Sequence, residues 1–302
     1  MLDPFELTFY LCLGLALICF VLSYATDNYS YVDKLWSITP MLYTWIYWGY
    51  GVAIDPIGSK RLTVFTFLIT LWGFRLTANF YRKGGYSLKD EDYRWVYVRK
   101  MIGDSRGLKF QLFNLGFISL FQHILLWSLT LPVYCSLLAV GKPFAEWKFL
   151  DSFATLWVLF FWGIELIADG QQFAFQCKKK KLLKENPAAV PKQFITDGLF
   201  GYCRHPNFTA EQAIWIGIAL LGQTSCQSYS SLGIPALEYL NPNWFGVTAL
   251  LILFHNSTKL TEDITLSRYS EYSKYQETTN CFIPSVKTLI FGPPKASALK
   301  RD

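Results

Sequence analysis

Apolar residues in this chain gather into blocks of about twenty, the length a helix needs to cross about 30 Å of hydrocarbon. The first block runs from Phe5 to Ala25. It is too long for a signal-peptide core and has no basic leader, so it reads as a first membrane helix. Further spans are predicted at about 34–54, 62–80, 110–140, 151–170, 206–226 and 244–260. Asp55-Pro56 and Gly58 end the second, and Pro132 is a kink or break inside the fourth. The pattern predicts an all-α polytopic membrane protein of about seven helices, with residues 1–302 forming one integral membrane domain.

Polar positions interrupt these blocks at a few places. Arg75 and Asn79 lie inside the third span, where polar groups are costly and normally face the bundle interior or a cavity. In ELIADGQQFAFQ (165–176), Glu165, Asp169, Gln172 and Gln176 recur at i, i+3 and i+4 steps and form one stripe at a helix end. In GLFGYCRHPNFTAEQAIWIG, Arg204 and His205 precede Pro206, which suits the first position of a helix. Such an end offers free N–H groups and positive potential, a fit for phosphate or pyrophosphate. Glu211 falls four residues after Asn207, on the same face. Without context, each cluster also reads as an interfacial or solvated helix end.

Composition adds little to this picture and charge adds more. The chain has 302 residues, of which 52% are hydrophobic and 18% aromatic. Its net charge of +6 is distributed unevenly. Loops 25–33, 81–109 and 171–205 with the tail carry 21 Lys and Arg, against 4 in the opposite loops. The positive-inside rule then predicts a lumenal N-terminus and a cytosolic C-terminus. Lys178–Lys181, assigned to the loop after the fifth span, read as a topology determinant and lipid headgroup contact. Seven scattered cysteines without CxxC spacing, and three histidines, argue against a disulfide framework and a zinc site. Nothing suggests nucleic acid as a partner.

The order of SYVDKLWSI, Arg75 with the EDYRW loop, ELIADGQQFAF, GLFGYCRHPNFTAEQAIWIG and YSKYQETTNCFIP resembles the steroid 5α-reductase superfamily over residues 30–285. The likeness is to a branch of multi-span proteins with a 3-oxo-5α-steroid 4-dehydrogenase-like C-terminal domain. That resemblance implies an endoplasmic-reticulum reductase of a lipophilic, sterol- or polyprenyl-like enone, with NADPH as cofactor. By the resemblance, Glu165, Asp169 and Gln176 line the nicotinamide and ribose. Arg204, Asn207 and Glu211 lie on the cofactor at the RHPN helix, and Lys259, Glu262 and Tyr272 close the site. The reductases polarise the substrate ketone with a Glu and a Tyr in the second and third spans. This chain has no Glu between 34 and 80, which leaves Asp33 as the acid, with Arg75 and Tyr81 as partners. Gln176 stands where steroid reductases have a cation. The RHPN segment also occurs in S-adenosylmethionine-dependent membrane methyltransferases. A non-catalytic protein that retains the fold to bind lipid or a partner is the third reading.

Overall fold

The computed structural model describes residues 3–142, 146–188, 193–223, 225 and 241–293, and Cys226 and the last residues of the tail lie outside them. The described residues form helices and no strand. Four stretches are long and apolar enough to cross a membrane: Pro4–Thr26, Lys60–Arg82, Leu108–Leu138 and Phe149–Glu185. The other three expected spans are helical too. Ile38–Ile54 has 17 residues and Pro206–Gln223 has 18. Phe245–Arg268 has 24, its last third rich in polar residues.

In chain order we label α1 Pro4–Thr26, α2 Tyr31–Leu35, α3 Ile38–Ile54, α4 Lys60–Arg82 and α5 Arg94–Ile102. Next come α6 Leu108–Phe113, α7 Gln122–Ser128, α8 Leu131–Leu138, α9 Phe149–Glu185 and α10 Pro206–Gln223. The last are α11 Phe245–Arg268, α12 Tyr272–Thr278 and α13 Val286–Phe291. A π-helical segment, Asn114–Phe121, joins α6 to α7.

Three expectations need correction. The second span does not begin at residue 34, because 31–35 form the separate helix α2 and α3 starts at Ile38. Pro40 explains the break: it lacks an N–H, and its ring crowds the carbonyl four residues earlier, that of Trp36. The fifth helix does not end at 170 but runs on to Glu185, so Lys178–Lys181 are helical and the polar stripe lies within the helix. From 171 to 185 the sequence holds no Gly or Pro and is rich in Lys and Leu, which favour helix; Asn186-Pro187 ends it. The seventh helix does not end at 260, because α11 extends to Arg268, and beyond it α12 buries Tyr272 and Tyr275.

The chain divides into two compact units. The first comprises 1–158 and 215–250, the second 159–214 and 251–302.

In the first unit, α3 packs against α4 and α8, and α1 against the π-helical segment and α7. Trp72 and Trp215 meet edge to face at 4.9 Å. Gly246 is required by close approach, because a Cβ there would stand 2.5 Å from the backbone of Ser128 and Leu129. Polar side chains tie the helices together. Arg61 grips Asp151 through Nη2 to Oδ2 at 2.8 Å and Nε to Oδ1 at 3.1 Å, and also donates to the Glu146 carbonyl and Ser225 Oγ. Trp127 donates to Thr8 Oγ1 at 3.1 Å, and Thr8 in turn bonds Tyr47 OH at 2.6 Å.

In the second unit, Ala168, Ile195 and Phe200 form a small core. Phe194 packs on Tyr272 and Tyr275, and Phe208 packs on Phe254 at 4.9 Å.

Candidate functional site

The RHPN segment is built into the second unit by the segment that ends in NCFIP. The backbone N–H of Arg204 donates to the Asn280 carbonyl at 2.9 Å, and that of His205 to Cys281 at 3.0 Å. Thr209 Oγ1 donates to the Phe282 carbonyl at 2.8 Å. These bonds fix the entry to α10 before Pro206 opens the helix.

Glu262 on α11 is the hub of a polar network at this entry. Its Oε1 accepts from Arg204 Nε at 2.7 Å, His205 Nε2 at 2.8 Å and Tyr272 OH at 3.2 Å. Its Oε2 accepts from Arg204 Nη2 at 3.0 Å and Gln276 Nε2 at 2.7 Å. Arg204 Nη1 donates to the carbonyls of Gln276 and Thr279. Burial alone would raise the Glu262 pKa, but the hydrogen bonds from His205, Arg204 and Gln276 outweigh it and hold the carboxyl well below the usual range. Tyr272 is pushed up, by burial and then by the Glu262 charge.

His205, Glu262 and Cys281 bring potential metal-ligand atoms within 4.8 Å of one another. The chemistry does not suit an ion. Five hydrogen bonds from four side chains already surround the Glu262 carboxylate, two of them from a guanidinium that a cation would have to face. Burial pushes the Cys281 thiol up to about 11, so it stays protonated at neutral pH rather than offering a thiolate.

The nine residues assigned to the cofactor all fall in the second unit. Three of them, Arg204, Glu262 and Tyr272, join in the Glu262 network. Glu165 and Asp169 are buried on α9, four residues apart, and Glu211 is buried on α10. Gln176, Asn207 and Lys259 are different. Their side chains make no hydrogen bond or ion pair among the described residues, and Lys259 is exposed. Because α10 begins at Pro206, the helix itself also leaves the amides of Asn207 and Phe208 without acceptors.

The three residues assigned to substrate polarisation all fall in the first unit. Asp33 lies on α2, where Trp95 Nε1 donates to its Oδ2 at 3.4 Å. Burial raises its pKa, partly offset by Arg94, so Arg94 is a cation acting on this carboxyl. Arg75 is buried within α4. Tyr81 is 74% exposed near the end of the same helix.

Sequence reasoning missed several partners. The charged EDYRW loop shapes the turn that carries Asp33. Glu91 accepts from the Tyr29 N–H at 2.8 Å and pairs with Arg99 at 2.7 Å, while the Asp92 N–H donates to Ser30 Oγ at 2.9 Å. Lys34, next to Asp33, is buried, and burial lowers its pKa. Gln276 was legible in principle, since it follows Tyr272 by four residues and shares its face.

Comparison with known proteins supports the resemblance at the level of the steroid 5α-reductase-like group. A family model described as a protein of unknown function, DUF1295, matches residues 19–279, and the family lies in the steroid 5α-reductase-like group. The chain is also similar to the uncharacterized protein C594.04c of Schizosaccharomyces pombe. The two are 34% identical over 292 residues, covering 93% of this chain and 80% of the relative. No solved structure matches it. The chain belongs to the DUF1295 family.

Proposed function

We propose that the protein is an NADPH-dependent reductase of a lipophilic enone, sterol- or polyprenyl-like, within the membrane. It would belong to the branch with a 3-oxo-5α-steroid 4-dehydrogenase-like C-terminal domain. The observation that carries this reading is the division of polar groups in the second unit into a closed frame and open side chains. Arg204, His205, Tyr272 and Gln276 saturate Glu262 and so act as positioning residues at the start of α10. Asn207, Gln176 and Lys259 keep their donors and acceptors for something else.

Those open groups fit a dinucleotide. A carboxamide and two helix-terminal amides suit phosphate oxygens, and an exposed ammonium adds charge; the α9 carboxylates are not among the open groups, and the resemblance alone assigns them to ribose hydroxyls. NADPH, when bound, supplies the hydride. The protein's part is to orient the enone so that hydride reaches the β-carbon, and to deliver a proton to the α-carbon as the carbonyl is polarised. Asp33, whose pKa burial raises, is the group we assign to hydrogen-bond that carbonyl, with Arg75 and Tyr81 as its partners by the resemblance.

Localisation to the endoplasmic reticulum comes from the same resemblance, and the 21-to-4 bias of Lys and Arg supports a lumenal N-terminus and a cytosolic C-terminus. The pairing of Arg204 with Glu262 favours one other reading, a fold kept for binding without turnover. Thermal stability of the detergent-purified protein separates the readings. NADPH at 100 times its dissociation constant should add about 2.7 kcal/mol, and Asn207→Ala and Lys259→Ala should reduce that gain. Stabilisation by S-adenosylmethionine alone would make the protein a methyltransferase. No response to either would leave the non-catalytic reading.

A further inference from the structure

A second feature of the second unit lies away from the polar stripe. A cavity of about 490 Å³ opens along the far half of α9, lined by Gln171, Phe175, Lys178, Leu182, Ile195 and Asp197 among others. On α9 the lining positions 171, 174, 175, 178, 179 and 182 share one face. At 100° per residue that face points about 120° away from the stripe of Glu165, Asp169, Gln172 and Gln176.

The walls of this groove are held from both sides. Gln171 Oε1 accepts from the Leu199 N–H at 3.0 Å, and Gly198 has a φ of +64°, with no room for a Cβ beside Gln171. Lys179 Nζ donates to the Gln193 carbonyl at 2.9 Å and to Tyr269 OH at 3.3 Å. Lys178 is exposed and makes no side-chain bond among the described residues. The groove thus offers apolar side chains and one open ammonium beside a lysine already fixed in place.

Its depth is informative. α9 has 37 residues, about 55 Å of helix, and its apolar part fills about 30 Å of hydrocarbon. The groove begins within a turn of the last apolar residues, at headgroup level. Helical side chains tilt toward the N-terminus, so Lys178 reaches back toward the bilayer.

We propose that this groove binds an anionic membrane phospholipid, its phosphodiester on Lys178 and an acyl chain against Phe175, Leu182 and Ile195. Charge complementarity selects this occupant. Lys178 and Lys179, both lining the groove, attract a phosphate, and the apolar walls suit an acyl chain. Lipid in this groove is independent of the reductase reading.

The test uses the full chain in a neutral detergent, with bound lipid counted by native mass spectrometry during titration. Phosphatidylglycerol should bind more tightly than phosphatidylcholine, and inorganic phosphate should not compete. Lys178→Gln should weaken phosphatidylglycerol about fivefold, and Leu182→Gln should weaken it too. Lys180→Gln, an exposed lysine of the same run outside the groove, should change it by less than about twofold. Equal losses in Lys178→Gln and Lys180→Gln would overturn the proposal, reducing the effect to general charge. So would equal binding of phosphatidylcholine, or displacement by inorganic phosphate.

Discussion

The two units use polar side chains differently. In the first, several polar groups of the bundle bond one another, although Lys34 Nζ and Thr44 Oγ1 are buried without a hydrogen bond among the described residues. Arg61 and Asp151 are 4% and 0% exposed and make an ion pair with two hydrogen bonds. Thr8, Tyr47 and Trp127 form a chain, and Asn114 exchanges hydrogen bonds with Ser23 across α1 and the π-helical segment. In the second unit one hub is just as closed, around Glu262, but Gln176, Asn207 and Lys259 remain open. Where helices are apolar on their lipid faces, mutual polar pairs fix which helix meets which. Groups left over from that task are the ones available to a ligand.

Breaking the closed pair of the first unit should do the most damage. Asp151→Ala leaves Arg61 buried without its counter-charge and should cost about 3–5 kcal/mol, measured by thermal or chemical denaturation in detergent. Glu262→Gln, in the second unit, keeps the shape but loses charge-assisted bonds and should cost about 2–3 kcal/mol. If Glu262→Gln were neutral, the hub would not be a structural frame.

Acid probes the same hub. The folded Glu262 pKa lies below the ordinary 4.5, so its contribution to stability is fully present above that pH. It is lost as pH falls further below 4.5, while the unfolded carboxyl takes up a proton first. Stability curves should therefore drop in acid for the wild type, and Glu262→Gln should flatten part of that drop. An open group should matter least to folding: Asn207→Ala should shift unliganded stability by less than about 0.5 kcal/mol yet reduce the NADPH gain. A large loss of stability from Asn207→Ala would place it with the frame instead.

Much of the helical layout was legible because apolar blocks of bilayer length have few other uses. The break before α3 was missed although its cause, Pro40, was in view; the apolar run hid it. The end of α9 was misplaced because lysines read as loop, when Lys is a good helix former. Of the cofactor candidates, Arg204, Glu262 and Tyr272 came together in the fold, 58 residues separating the first two. What sequence could not reveal is that Arg204 spends its guanidinium on Glu262. A cation in a motif gives no sign of whether its partner is a ligand or a distant carboxylate. The tie between the EDYRW loop and the Asp33 turn was equally hidden, since its hydrogen bonds span about sixty residues.

Isotope transfer from the cofactor decides whether the open groups serve a reductase. The purified protein is incubated with NADPH deuterated at the transferable C4 position and a membrane lipid extract, and the lipids are analysed by mass spectrometry. A reductase of this kind consumes an enone and forms a saturated ketone, heavier by one deuteride and one proton, with deuterium at the β-carbon. Asp33→Asn should keep NADPH stabilisation and lose most of that product. NADPH stabilisation with no deuterated lipid from the wild-type protein, across extracts of varied source, would contradict the reductase reading and leave a binding protein.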